Sequence, residues 1–162
     1  LRPAFKGDGT VTAGNASGIN DAAAAVVLME GSEAARRGLQ PLGRLVAYGH
    51  AGVDPKYMGI GPVPAIRNVL ARAKLSIKDM DVIELNEAFA AQALAVMRDL
   101  DLPPDRTNPN GSGISLGHPI AATGCILTVK ALYELRRSGG RYALVSMCIG
   151  GGQGIAAIFA AM

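Results

Sequence analysis

The chain reads as an α/β layered fold, with a mixed five-stranded sheet covered by helices. Three observations carry that prediction. Short runs rich in Val, Ile and Leu alternate with longer stretches whose apolar residues recur at helical three-and-four spacing. The connections are brief and punctuated by Gly, Pro and Asn, the pattern of strands and helices succeeding one another in a layered unit. The chain then closes on two successive strands, Arg141–Cys148 and Gly154–Ala160, joined by Gly150-Gly151-Gly152, so the sheet is mixed rather than wholly parallel.

Taken in order, Gly7-Asp8-Gly9-Thr10 is a turn, because Asp-Gly supplies a residue tolerant of positive φ. A loop of small residues from Thr12 to Gly18 leads to Asn20-Asp21, either of which can cap a helix over Ala22–Met29. That helix is apolar all round and needs burial on most sides, which its immediate neighbours in sequence cannot supply. Ser32 is expected to cap a second short helix ending at Gly38, and Gln40-Pro41 marks a boundary. Leu45–Val53 is a strand, followed by a loop through Asp54-Pro55 and Gly59-Ile60-Gly61-Pro62. Ile66, Val69, Leu70 and Ala73 set a helix over Val63–Lys74. Val82–Leu85 is a short strand that turns straight into a helix over Ala88–Leu100. A polar loop through Pro103-Pro104 and Asn108-Pro109-Asn110-Gly111 precedes Ile114–Leu116, and a last helix over Ala121–Arg137 stops at Gly139-Gly140.

Composition excludes several classes of function. With 49% apolar and 18% charged residues in 162, the chain is not a disordered or nucleic-acid-binding tail. The net charge of +3 has no basic run behind it, and the doublets Arg36-Arg37 and Arg136-Arg137 fall near helix ends, where cations complement the dipole. Two cysteines, Cys125 and Cys148, are too few for a disulfide framework and lack metal-ligand spacing, so a reducing, cytoplasmic setting and no metal are expected. No uncharged apolar stretch reaches the ~18 residues of a membrane span. Leu1-Arg2-Pro3-Ala4-Phe5, with no methionine, reads as the interior of a larger protein.

Three loops carry chemistry. Asn86 stands where a strand becomes a helix: either a helix cap or an amide at the carboxyl end of a strand, where α/β sheets hold ligands. The neighbouring Glu87 reads as a first-turn acid or as a group orienting a neighbour. His118 lies between Gly117 and Pro119, an arrangement that fixes an imidazole on a loop as a general base or oxyanion donor needs, although a structural loop histidine also fits. His50 has no such setting and reads as structural. Cys148 ends a strand just before three glycines, which places a thiol beside backbone that a ligand can approach closely and whose N–H groups can form an oxyanion hole. A buried cysteine in a tight turn is the plainer reading there. The string Gly152-Gln153-Gly154-Ile155-Ala156-Ala157 formally fits a dinucleotide-binding loop but is rejected, because a strand is expected where a helix should begin. Cys125, inside the last helix, reads as core.

Taken together, Asn86-Glu87-Ala88-Phe89, Gly117-His118-Pro119 and Cys148-Ile149-Gly150-Gly151-Gly152, spaced by 32 and 30 residues, resemble the three C-terminal signature loops of the thiolases. Asp8 to Gly18 is similar to the thiolase loop that touches the pantetheine of coenzyme A. The resemblance implies a β-ketothiolase (acetyl-CoA C-acyltransferase), condensing or cleaving 3-oxoacyl-CoA through a cysteine-bound acyl group in fatty-acid metabolism. By it, residues 1–41 end the N-terminal thiolase domain and residues 42–162 form the C-terminal one. His118 would activate the nucleophilic cysteine and help bind the thioester oxygen. Cys148 would exchange a proton with the second acyl-CoA. Asn86 would hold a water completing one oxyanion hole, and Gly150 N–H would contribute to the other. Ala13, Ala16 and Ser17 would line the pantetheine channel, with Ala88 and Phe89 beside it. No group is held covalently, coenzyme A thioesters being substrates, and a homodimer or homotetramer is implied. The sequence departs from the pattern twice: Ala121 stands where glycine is usual, and no candidate nucleophile is present, so the missing N-terminal domain would be a partner in catalysis. The rival reading is a non-catalytic thiolase-like subunit that binds acyl-CoA or another chain.

Overall fold

The computed structural model describes all 162 residues. One sheet organises it, in the order β1-β4-β3-β2, built from β1 (Gly43–Gly52), β2 (Val82–Leu85), β3 (Tyr142–Ile149) and β4 (Gln153–Ala161). The pairs β1–β4 and β3–β4 are antiparallel and β2–β3 is parallel, the mixed sheet expected from the sequence. It has four strands rather than five. Next to β2 stands only a single bridge between Ile83 and Thr107, made by Ile83 N to Arg106 O and Asn108 N to Ile83 O, each 2.8 Å. Pro103-Pro104 and Pro109 flank that segment and lack the N–H groups a longer ladder requires.

The helices divide between the two faces. On one side α2 (Pro62–Ala73) and α3 (Ala90–Leu100) bury Ile66, Val69 and Val96 against Ile83, Leu85, Leu144 and Ile158. Gly49 on β1 is needed there, since a Cβ would stand 3.1 Å from Val69 N and crowd α2. On the other side α5 (Thr123–Ser138) packs Leu127, Ala131 and Leu135 on Val82, Ala143 and Val145. It reaches only half of that face. Leu45, Tyr48 and Ile155, which the register puts on the same side, stay exposed. No helix is long and apolar enough to cross a membrane.

The first forty residues depart most from expectation. Ala22–Met29 forms no helix and takes part in no backbone hydrogen bond, with Val27 and Leu28 exposed at 88% and 79%. A segment this short gains too little from its own hydrogen bonds to nucleate a helix, and nothing in the chain packs on it to make up the difference. Its all-round apolar character says nothing about which conformation a packing neighbour would impose. The short α1 (Gly31–Arg36) follows as expected, though Glu30 rather than Ser32 occupies its cap position and makes no side-chain cap bond. Both arginine doublets do sit in last turns or just beyond, Arg36 and Arg37 paired with Glu33, and Arg137 with Glu134 at 2.6 Å. The four residues Gly113–Leu116 make a single helical turn, α4.

Candidate active site

The parallel strands β2 and β3 end side by side, and their carboxyl ends carry Asn86 and Cys148. Asn86 N donates to Ser146 O at 2.9 Å, which sets the end of one strand against the other. Asn86 does not cap α3: the helix begins four residues later, with Phe89 in the cap position. Its side chain instead turns to His118, with Nδ2 at 3.3 Å from Nε2. The amide is fully buried, and its Oδ1 has no hydrogen-bond partner. Gly113 backs this corner, because a Cβ there would reach 3.0 Å from Oδ1 and collide with the Glu87 carbonyl. A buried carbonyl without a donor costs on the order of 1–3 kcal/mol and marks a position where a ligand or an ordered water is wanted.

His118 is held at three points. Its N–H donates to Asn20 Oδ1 at 3.0 Å, Nδ1 lies 2.8 Å from Thr123 Oγ1, and Nε2 meets Asn86. Gly117, at φ 102, makes the sharp entry to this loop. The chain then turns through Pro119–Ala122, closed by Ala122 N to Pro119 O at 2.6 Å, so that Thr123 returns beneath the ring. Ala121 is exposed in that turn and has no positive φ, so the methyl that departs from the usual glycine is accommodated. Burial lowers the His118 pKa from its ordinary 6.5, favouring the neutral imidazole that a base requires.

The surrounding loop is fastened from below. Glu87 is not in a helix; its carboxylate accepts from Asn108 Nδ2 at 3.1 Å and from Ile114 N at 3.4 Å, the orienting role considered from the sequence. Glu84 is completely buried and paired with Lys130 at 2.8 Å, and the same ammonium donates to the Gly111 carbonyl. Burial pushes the Glu84 carboxyl up while Lys130 opposes it. Glu134 accepts from Asn110 at 2.9 Å, and Arg137 with Asn110 brings its pKa down to about 2.

A strap from the start of the chain crosses both loops. Asn15 shapes it from within, its Oδ1 accepting from Thr12 N at 2.7 Å and its Nδ2 donating to Thr10 O at 2.9 Å. Ala16 bridges Phe89, Ser17 N donates to Ala88 O at 3.0 Å, and Ile19 bridges His118. Ala16 and Ser17 therefore lie along the Asn86–Phe89 segment, where Ala88 is buried, while Ala13 is exposed and makes no hydrogen bond to that segment. Phe5 stacks edge-on to Phe89 with ring centres 6.3 Å apart.

Cys148 is buried and makes no side-chain hydrogen bond to Asn86 or His118. Burial pushes its thiol above the ordinary 9.0, so the resting group keeps its proton at neutral pH. After it the backbone opens. Gly151 and Gly152 take φ 84 and 87, and a Cβ on Gly152 would strike the Val53 carbonyl. Gly150 has neither constraint: its φ is not positive and nothing lies within 4 Å of an added Cβ. A strand, β4, follows these glycines, which removes the dinucleotide-loop reading. His50 is exposed on β1, and Cys125 is half-buried in α5 rather than core. No group of three or more His, Cys, Asp or Glu side chains is placed to hold a metal ion. Thr123 and Asn20 are the site residues that sequence reading missed. Threonine at a helix start and asparagine as a candidate helix cap are read as local structure, and only the Pro119 turn hinted that residue 123 would come back to the ring.

The sequence pattern described as thiolase, C-terminal domain, matches residues 39–161, and that described as thiolase, N-terminal domain, matches residues 1–32. The chain belongs to the thiolase family. It is 74% identical over 160 residues to the beta-ketothiolase BktB of Cupriavidus necator, covering 98% of this chain and 41% of that protein. Among solved thiolase-family structures, the acetyl-CoA acetyltransferase of Bacillus anthracis superposes with a TM-score of 0.98 at 54% identity, covering all of this chain and 41% of that one. The human mitochondrial 3-ketoacyl-CoA thiolase in complex with CoA gives a TM-score of 0.93 at 51% identity, with the same coverage of 100% and 41%. The chain thus spans about two fifths of the length of the thiolases it matches.

Proposed function

We propose that this chain supplies the proton-handling half of a β-ketothiolase site, acting on 3-oxoacyl-CoA and coenzyme A, with the attacking cysteine contributed by an N-terminal thiolase region. The observation that carries the reading is the buried Asn86–His118 contact with its unpartnered Oδ1, at the strand ends that also bear Cys148. In this reading residues 1–41 complete the N-terminal domain and residues 42–162 form the C-terminal one. The half-covered face of the sheet and the exposed Val27-Leu28 segment support a further layer seated there.

The chemistry follows from the groups present. His118 Nε2 takes the proton of the attacking thiol, whose sulfur then adds to the 3-oxo carbonyl of the substrate. The carbon–carbon bond breaks toward the thioester side, and Cys148, resting as a thiol, gives its proton to the departing α-carbon. Acetyl-CoA leaves, and the remaining acyl group stays on the attacking sulfur until coenzyme A removes it. Covalent capture splits one difficult step into two. A water held by Asn86 beside His118 Nε2, and the open Gly150 N–H, would stabilise the oxyanions. Ala13, Ala16, Ser17, Ala88 and Phe89 would flank the pantetheine arm.

The test is a splice. The part of the Cupriavidus necator relative that precedes the matched region is joined to this chain, and thiolysis of acetoacetyl-CoA is followed for the splice and for the 162-residue chain alone. The splice is expected to turn over and the chain alone to be inert. Turnover by the chain alone, or a folded but inactive splice, overturns the reading.

A further inference from the structure

We infer that Thr123 is a positioning residue that selects the tautomer of His118, holding the ring proton on Nδ1 so that Nε2 presents its lone pair. The inference rests on the proposed function above and deepens it, since it names what prepares the base.

The geometry is local and closed. With the Asn86 amide nitrogen facing Nε2 at 3.3 Å, Nε2 is the acceptor of that pair. A neutral imidazole then carries its proton on Nδ1, and the Thr123 hydroxyl, 2.8 Å away, is its acceptor. Thr123 is 2% exposed, so water cannot replace the hydroxyl. It makes no other side-chain hydrogen bond in the structure, which leaves its lone pairs free for the ring. The hydroxyl is held in place by the turn through Pro119–Ala122 and by its position in the first turn of α5, while the Asn20 carbonyl holds the backbone of His118 on the other side. No charged side chain is among the causes that shift His118, so its tautomer is left to its two neutral partners, Asn86 at Nε2 and Thr123 at Nδ1. In hydrolase triads a carboxylate holds the corresponding ring proton, and loss of the correct tautomer there lowers the rate greatly. A neutral hydroxyl does the same work here more weakly.

Two readouts test this. The first is the pair of His118 ring 15N shifts in the 162-residue chain, which distinguish a protonated Nδ1 from a protonated Nε2. The second is turnover by the spliced enzyme. Thr123→Val keeps the shape and removes the acceptor, and Thr123→Ser keeps the acceptor. In the parent the shifts should report protonated Nδ1. In Thr123→Val they should become a mixture of tautomers, with kcat down about tenfold, the worth of one neutral hydrogen bond, and KM unchanged. Thr123→Ser should restore both. Parent-like shifts and kcat in Thr123→Val overturn the inference, as does a parent ring protonated on Nε2. If His118→Ala leaves the splice at parental activity, it is the proposed function that fails, since the ring shifts report on Thr123 independently of catalysis.

Discussion

The two ends of adjacent strands are prepared in opposite ways. At the end of β2 the groups are held closely: Asn86 is sealed with its Oδ1 alone unpartnered, His118 is held at three atoms, and Glu87, Lys130 and Glu134 pin the loop between them. At the end of β3 the Cys148 thiol has no side-chain hydrogen-bond partner, and the turn beyond it is exposed at Ile149, Gly150 and Gly151. On the proposed reading, the contrast teaches that one half of the site would work by fixed geometry and the other by environment and access. An imidazole base must aim its lone pair, so contacts surround it. A thiol that hands over a proton needs chiefly the right pKa and open backbone beside it, and burial with a glycine turn gives both.

The largest effects expected separate these two halves. In the spliced enzyme, His118→Ala and Cys148→Ser should each lower kcat by about a hundred- to ten-thousandfold, the usual worth of a general acid or base. Their pH profiles should differ. Burial holds His118 below 6.5, so the base stays neutral to a lower pH than an ordinary histidine and the rate falls as pH drops through that lowered value. Cys148 sits above 9.0, so its proton is lost only on the alkaline side, and Cys148→Ser should abolish that limb alone. For stability the sign is the same for the acid side: below 6.5 the unfolded chain takes the histidine proton before the folded one, so stability declines there and levels off beneath the folded value. An alkaline limb that survives Cys148→Ser would show that the thiol does not carry the proton.

Asn86→Ala comes next, at about a hundred- to a thousandfold in kcat with little change in KM, because an oxyanion donor acts chiefly in the transition state. An unchanged kcat would reduce Asn86 to packing. The smallest effects sharpen the comparison within the glycine turn. Gly152→Ala should cost about 1–3 kcal/mol in denaturant unfolding, from its positive φ and the Val53 carbonyl. Gly150→Ala should leave stability within about 0.5 kcal/mol while raising KM for the thioester. Equal losses of stability in both would mean that Gly150 serves the fold and not a ligand.

Much of this was legible in the sequence because its signals are local. The four strands and the helices α2, α3 and α5 follow from periodicity and breakers, with ends such as Gly139, at φ 71, set by chemistry visible in the residue itself. Asn86, His118 and Cys148 were visible as residue types in glycine- and proline-marked loops. What failed depended on partners. The conformation of Ala22–Met29 is decided by what packs on it, and a run of Ala and Val suits helix or extended chain alike. The fifth strand is absent: beside β2 only one bridge forms, at Thr107, in the stretch expected as a polar loop, where prolines on both sides lack the donors for a longer ladder. Thr123 and Asn20 escaped because their importance lies in where a turn and a distant segment deliver them.

The strap of residues 12–20 has a consequence for how such a protein can be divided. Two sequence patterns meet between residues 32 and 39, yet Ala16 is laced to Phe89 and Asn20 to His118 across that seam. The joint that a geneticist would cut is therefore not the joint around which the candidate site residues are grouped. Exchange of modules between relatives at that seam would put one protein's strap across another's imidazole loop, and an altered residue 20 would be felt at His118 before it was felt anywhere in its own module.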